Sequence, residues 1–188
     1  HDPLHHFANL EKATLSQSKK DWNAYFSLVQ NEYANQVHLE NAISYYNRGL
    51  SKDTYKLFEK LIENDRLDPI SRIWYAFISK NPELLKPVES VSIDYCFPYR
   101  RETISALNWA VKENTHWKFS YLLALNLWAK DRNEEAWSLM SGLESKPNSM
   151  PFYLSRATLG EVYGVKNDVE KDLRQSLDLA KDSWICLL

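Results

Sequence analysis

The hydrophobic positions follow a helical period along almost the whole chain, and they do so most clearly from His116 to Pro147. Here Trp117, Tyr121, Ala124, Leu125 and Trp128 recur at spacings of three and four, with Leu122, Leu123 and Leu127 filling the adjacent stripe. So wide an apolar surface predicts a helix covered on two sides. After the polar turn Lys130-Asp131-Arg132-Asn133, a second helix carries Ala136, Leu139, Met140 and Leu143 inward, and Pro147 is expected to stop it. Glu134 and Glu135 fall in its first turn, where the helix dipole favours negative charge. Ala124 and Ala136 supply small side chains through which the two backbones approach closely.

The same pattern extends in both directions. Pro3 starts a predicted helix to about residue 14 with Leu4, Phe7, Ala8 and Leu10 on its apolar side, and Ser18 to Gln30 gives another with Trp22, Tyr25, Phe26 and Val29 inward. These two lie outside the repeat pattern and are expected to cap or join it, so residues 1–36 form a capping region and 37–188 the repeats. From Val37 a helix runs to Gly49, a good helix stop, followed by a partner N-capped by Ser51 with Tyr55, Phe58, Leu61 and Ile62 inward. Asp68-Pro69 opens the next helix. RRETISALNWAVKEN forms a later one, with Ile104, Leu107, Trp109 or Ala110, and Val111 inward.

Aligning small residues of successive first helices gives a step of 34 from Ala42 to Ala76, 48 from Ala76 to Ala124 and 33 from Ala124 to Ala157. Repeats of this period are helix-turn-helix units that bury a continuous core by stacking. They fall at about 37–68, 69–115, 116–148 and 149–182, with a further one starting at 183–188, where Trp184 would open its first helix. The long middle step places an insertion near 81–98, where Pro82, Pro87 and Pro98 interrupt any long helix. It is read either as a segment packed across the flank or as a partner-facing loop. The absence of an initial methionine, and an apolar helix start at the end of the chain, read as a piece of a larger protein.

Composition narrows the function classes. Only 4 glycines among 188 residues, with 13% aromatic side chains, favour helices packed through bulky groups over a turn-rich β fold. A net charge of −2 gives no electrostatic reason to expect nucleic acid or an anionic membrane as partner. No apolar run is long enough to span a bilayer as a helix. Cys96 and Cys186 lack the spacing of a metal or redox motif and read as free thiols. Compartment is left open by these residues, with the cytoplasm preferred.

Five segments, DPLHHFANLE at 2–11, ENAISYYNRG at 40–49, FPYRRETISALNWAV at 97–111, HWKFSYLLALNLWA at 116–129 and PFYLSRA at 151–157, carry a resemblance in order and spacing. The repeat unit resembles the tetratricopeptide repeat. The five together resemble the repeat region of bacterial proteins whose N-terminal part is a β-sandwich domain of unknown function, similar to sugar-mutarotase folds. The resemblance implies an all-α fold, a tetratricopeptide-like superhelix of about nine to eleven helices in antiparallel pairs, following a β-sandwich and set in a carbohydrate context. It implies no catalytic residues. Asn41 and Asp172, polar residues inside helices, depart from the pattern.

In such an array the first helices line the concave surface, so the binding candidates are Lys118, Tyr121, Asn126 and Trp128, with Arg72 and Tyr75 one unit earlier. Aromatic and basic groups there suit a peptide or a carboxylate terminus. Each has a plainer reading, Tyr121 and Trp128 as core between repeats and Lys118 as a solvated cation. Arg100 and Arg101, after Phe97-Pro98-Tyr99, are candidates for anchoring an anion or an adjacent domain. His1, His5 and His6 follow no metal-ligand spacing, and His38 and His116 stand at predicted helix starts. The runs Glu134-Glu135 and Asp168 to Asp172 are expected on outward faces, so no paired catalytic carboxylates, metal site or cofactor is assigned. The expected function is a non-catalytic scaffold binding a protein, a peptide or its own β-sandwich. The alternative is one wall of a carbohydrate site.

Overall fold

Eleven α-helices and one short 3-10 turn account for the regular structure of the described residues, which are 4–30, 34–143 and 147–180 of this computed structural model. The all-α expectation holds. The chain divides into two compact units at Asn81/Pro82, where the predicted insertion begins.

The first unit contains α1 (Leu4–Ser16), α2 (Lys19–Leu28), α3 (Ala34–Asn47), α4 (Ser51–Glu63) and α5 (Pro69–Ser79). Short turns fold α1 onto α2 and α3 onto α4, and α5 packs on α4. Ser18 caps α2 by accepting from Asp21 N–H at 3.2 Å, and Asp68 caps α5 by accepting from Ser71 N–H at 2.7 Å, with Pro69 in the first turn. Trp22, Tyr25, Phe26 and Val29 are all buried as predicted. On α1, Leu10 is buried with Ala13 and Thr14, whereas Ala8 is exposed and Phe7 half-buried, stacked obliquely on Tyr45.

The α3–α4 turn corrects one prediction. Gly49 adopts φ +75°, Leu50 N–H bonds Tyr45 C=O and Gly49 N–H bonds Tyr46 C=O, the Schellman closure of a helix. Leu50 then serves at once as the start of α4, its carbonyl taking both Thr54 N–H and Thr54 Oγ1–H. Ser51 is thereby drawn into the first turn and caps nothing. Satisfied in this way, Thr54 joins Leu57, Phe58 and Leu61 on the buried face, and Tyr55 and Ile62 are displaced to its exposed margin.

The second unit opens with the 3-10 turn Pro82–Leu85 and α6 (Lys86–Ser90), continues through an irregular stretch, and then forms α7 (Thr103–Glu113), α8 (Trp117–Trp128), α9 (Asn133–Ser141), α10 (Met150–Tyr163) and α11 (Lys166–Leu179). Each of α7 to α10 packs on its successor. α8 is covered on two sides, with buried residues along its whole length. Ala42, Ala76, Ala124 and Ala157, the small residues that set the repeat step, are all buried, as is Ala136. On α7 it is Ala110, not Trp109, that is buried, beside Thr103, Ala106 and Leu107. α9 ends at Ser141, ahead of Pro147, which is itself buried. At Gly160 a Cβ would come within 3.0 Å of Val169 and 3.4 Å of the Trp137 ring, so glycine is what lets α10 sit so close to both.

Asp172 is a second correction. Far from facing outward with Asp168, it is buried in a bidentate pair with Arg156 (Nε to Oδ2 2.7 Å, Nη2 to Oδ1 2.6 Å). Arg156 also lies over the Phe152 and Tyr153 rings. The cation makes a carboxylate tolerable on the inward face. Trp184, Cys186 and the predicted further repeat lie outside the described residues, as do His1 and the side chain of His5.

Candidate functional site

The stretch from the predicted insertion to Arg100 is fastened by polar side chains of α8 and by Asn114 at the end of α7. Lys118 Nζ–H donates to the carbonyls of Val88 (3.3 Å), Glu89 (2.7 Å) and Val91 (2.5 Å), closing the end of α6. Burial pushes the Lys118 pKa down while Asp94, Glu89 and Cys96 pull it up; only the ammonium can serve three acceptors at once. Asn126 Nδ2–H donates to Arg100 C=O at 3.1 Å, and Asn114 Nδ2–H to Glu89 Oε1 at 2.7 Å. Leu85, Val88, Ile93 and Pro98 bury their side chains beneath these ties.

With its buried residues held, the segment turns its aromatic ones outward. Tyr95 is 82% exposed, Phe97 67% and Tyr99 44%. Phe97, Pro98 and Tyr99 form one side of a groove of about 300 Å3, Leu125, Trp128 and Ala129 at the end of α8 the other, and Ser155 of α10 closes it. Ser155 Oγ lies 3.2 Å from Tyr121 Oη, and burial raises the Tyr121 pKa to about 12, so the phenol is neutral and hydrogen-bonding. Arg100 lies over the Tyr99 ring (5.1 Å to the centroid) and donates to Tyr99 Oη at 3.0 Å, fixing the charged rim of the groove.

The sequence candidates divide on this geometry. Lys118, Tyr121 and Asn126 are buried and engaged internally, so they build the site without facing a ligand. Trp128 lines the groove, Arg100 stands at its rim, and Arg101 is exposed beside it. Arg72 and Tyr75 belong to the first unit. Arg72 approaches Asp65 at 3.9 Å, and Tyr75 is buried with its O–H donating to Tyr55 Oη at 3.3 Å. Phe97, Tyr99, Leu125, Ala129 and Ser155 were not among the candidates. Phe97 and Tyr99 were signalled by the alternation of aromatic residues 95, 97 and 99 in a proline-punctuated stretch; nothing local marked Leu125, Ala129 or Ser155.

His116 caps α8, its Nδ1 accepting from Lys118 N–H at 3.5 Å, while His38 lies within α3 and is buried. Among the described residues no group of three or more His, Cys, Asp or Glu could hold a metal ion, Cys96 is half-buried and in no disulfide, and no helix is long and apolar enough to cross a membrane.

Fold and groove together define an all-α chain of consecutive helix pairs with an aromatic cleft on its second unit. No family model and no curated protein matches the chain. Among solved structures it is similar to YrrB, described as a TPR protein with an unusual peptide-binding site, at 14% identity and a TM-score of 0.42 over 98% of this chain and 84% of that one. It is also similar to a double mutant of MamA (MamA RS-1 ArsTM), at 11% identity and a TM-score of 0.43 over 96% and 91%. MamA protein itself aligns at 16% identity with a TM-score of 0.39, over 100% of this chain and 98% of that one.

Proposed function

We propose that the chain is a non-catalytic helical repeat scaffold that binds a segment of another protein, seating an apolar side chain of that segment in the groove of Phe97, Pro98, Tyr99, Leu125, Trp128 and Ala129. The observation that carries this reading is the outward presentation of Tyr95, Phe97 and Tyr99 on a segment whose backbone is tied down from below. Exposed aromatic faces on a rigid base contribute contact area at low entropic cost. One buried leucine-sized anchor supplies about 2 to 3 kcal/mol, so backbone and charged contacts at the Arg100 rim must add the rest.

Panning a random-peptide library on the chain and titrating the selected peptides by calorimetry tests this. The expected outcome is peptides sharing a bulky apolar residue, bound about tenfold or more weakly by both Ala129→Trp, which fills the groove, and Phe97→Ala. Unchanged affinity in both variants, with circular dichroism showing intact helices, would overturn it. Oligosaccharide binding lost in the same variants, with no peptide selected, would move the groove to the carbohydrate alternative.

A further inference from the structure

The first unit holds a buried polar group that the groove does not use. His38 is fully buried, its ring edge-on to Tyr25 (centroids 5.4 Å apart) and Phe26 (5.6 Å). Asn41 Nδ2–H donates to the Tyr25 oxygen at 3.0 Å, which turns the phenol O–H toward His38 Nδ1 at 2.8 Å. With the phenol donating, the relay runs Asn41 to Tyr25 to His38 and ends on an unprotonated Nδ1 of a neutral imidazole, the form that burial favours. The other nitrogen, Nε2, is buried with no hydrogen-bond partner among the described residues.

Burial and the cation nearest the ring make a positive charge on His38 unwelcome. Arg66, in the segment after α4, lies over the Phe26 ring at 5.2 Å and donates to Val29 C=O at 3.4 Å. α1 contributes His6, α2 the neutral Tyr25 phenol, and α3 itself the uncharged Asn41. Burial opposes protonation of His38 most, followed by Arg66 and the proximity of His6. A proton on Nδ1 would face the phenol oxygen, which already accepts from Asn41, and the phenol hydrogen would lose its acceptor.

We propose that the Asn41–Tyr25–His38 relay is an acid-sensitive latch between α2 and α3, which opens the packing of the first unit when His38 takes up a proton. Protonation both reverses the relay and places a cation among aromatic rings beside Arg66. Opening therefore begins at α2 and α3; in the second unit acid reaches the His116 cap at the start of α8, whose Nδ1 also accepts, while the packing of α8 on α9 beyond that cap holds no histidine and is kept. The cost of burying the charge holds the latch shut until the pH falls below the ordinary histidine range.

Amide and histidine NMR on the full chain, titrated from neutral pH to about pH 4, reads the latch directly. Amides of Trp22, Tyr25, Leu39 and Ala42 are expected to shift or broaden together with the His38 ring, while those of Leu122, Ala124 and Ala136 hold. His38→Asn keeps an acceptor near the Nδ1 position and cannot titrate, so the transition should disappear. If that variant does not fold, Tyr25→Phe supplies the check: removing the O–H that stabilises the neutral ring should raise the midpoint by about 0.5 to 1 pH unit. A transition that persists unchanged in His38→Asn, a midpoint unmoved in Tyr25→Phe, or a simultaneous loss of both units' signals at one pH would each overturn the proposal.

Discussion

The two units bury polar groups in opposite ways. In the first, Tyr25, His38 and Asn41 form a neutral relay inside an aromatic cluster, with His38 Nε2 left over. In the second, the buried polar groups include formal charges, each matched on the spot: Arg156 to Asp172 through two bonds, and Lys118 to three carbonyls. A neutral relay costs little desolvation but depends on one protonation state. Matched charges cost more to bury and punish the loss of either partner. The first unit should therefore be the one whose core acid disturbs; the second feels acid at the His116 cap of α8 and should be the one that single substitutions disturb.

The largest expected effect follows from that last difference. Arg156→Ala leaves the Asp172 carboxylate buried without its cation and should cost about 3 to 5 kcal/mol, as should Asp172→Ala in the other direction. The double change Arg156→Met with Asp172→Leu should recover most of the loss, because neither charge then remains to be desolvated. Urea unfolding of the three variants measures this. Equal destabilisation in the double variant would mean that the pair's value lies in its packing over Phe152 and Tyr153.

The pH effect comes next and its sign is fixed by linkage. Burial and Arg66 lower the His38 pKa from 6.5 to about 4 in the folded chain. Between those values the unfolded chain binds the extra proton, so stability is fully present above pH 6.5 and is lost as pH falls toward 4, by about 3 kcal/mol in all. The pH dependence of unfolding across that window should become shallower in His38→Asn, with His116 keeping a part of it, whereas Arg156→Met with Asp172→Leu should leave the slope unchanged.

What the sequence made legible, and what it did not, follows the same division. Periodicity located the helices and the buried alanines, because an apolar stripe at spacings of three and four has few other uses. It missed or misplaced residues whose polar atoms are satisfied by the fold: Thr54 was not among the predicted inward residues and Asp172 was expected outward, yet both are inward because Leu50 C=O and Arg156 receive them. Lys118 is the sharpest case. A lysine on an apolar helix reads as a solvated cation or a ligand contact, yet here it is the fastening of the insertion. Lys118→Met keeps the stem and removes the three bonds, with an expected loss of about 2 kcal/mol. Limited proteolysis should then cut first within the stretch around Tyr95 and Phe97, and the groove should weaken with it.

The smallest effect concerns the helix ends, where the sequence placed polar residues in turns that favour glycine. Asp65, Lys80 and Asp131 have φ of 50°, 53° and 58°, and each sits in the closure that Gly49 makes with φ +75°. After α8, Asp131 N–H bonds Trp128 C=O and Arg132 N–H bonds Leu127 C=O; the ends of α4 and α5 repeat this at Asp65 and Lys80. A side chain in the left-handed region costs about 1 to 2 kcal/mol, partly offset by glycine's larger unfolded-state entropy. Asp131→Gly should therefore raise stability by about 0.5 to 1 kcal/mol, and Asp65→Gly and Lys80→Gly by less, because Asp65 approaches Arg72 at 3.9 Å and Lys80 lies over the Phe77 ring at 4.0 Å; all are read as small shifts in the urea midpoint. Gly49→Ala should do the reverse through strain alone, since a Cβ there meets nothing within 4 Å. If Asp131→Gly instead destabilises the chain, the aspartate side chain contributes a local hydrogen bond worth more than the backbone strain, and the turn between α8 and α9 is held by chemistry rather than merely tolerated.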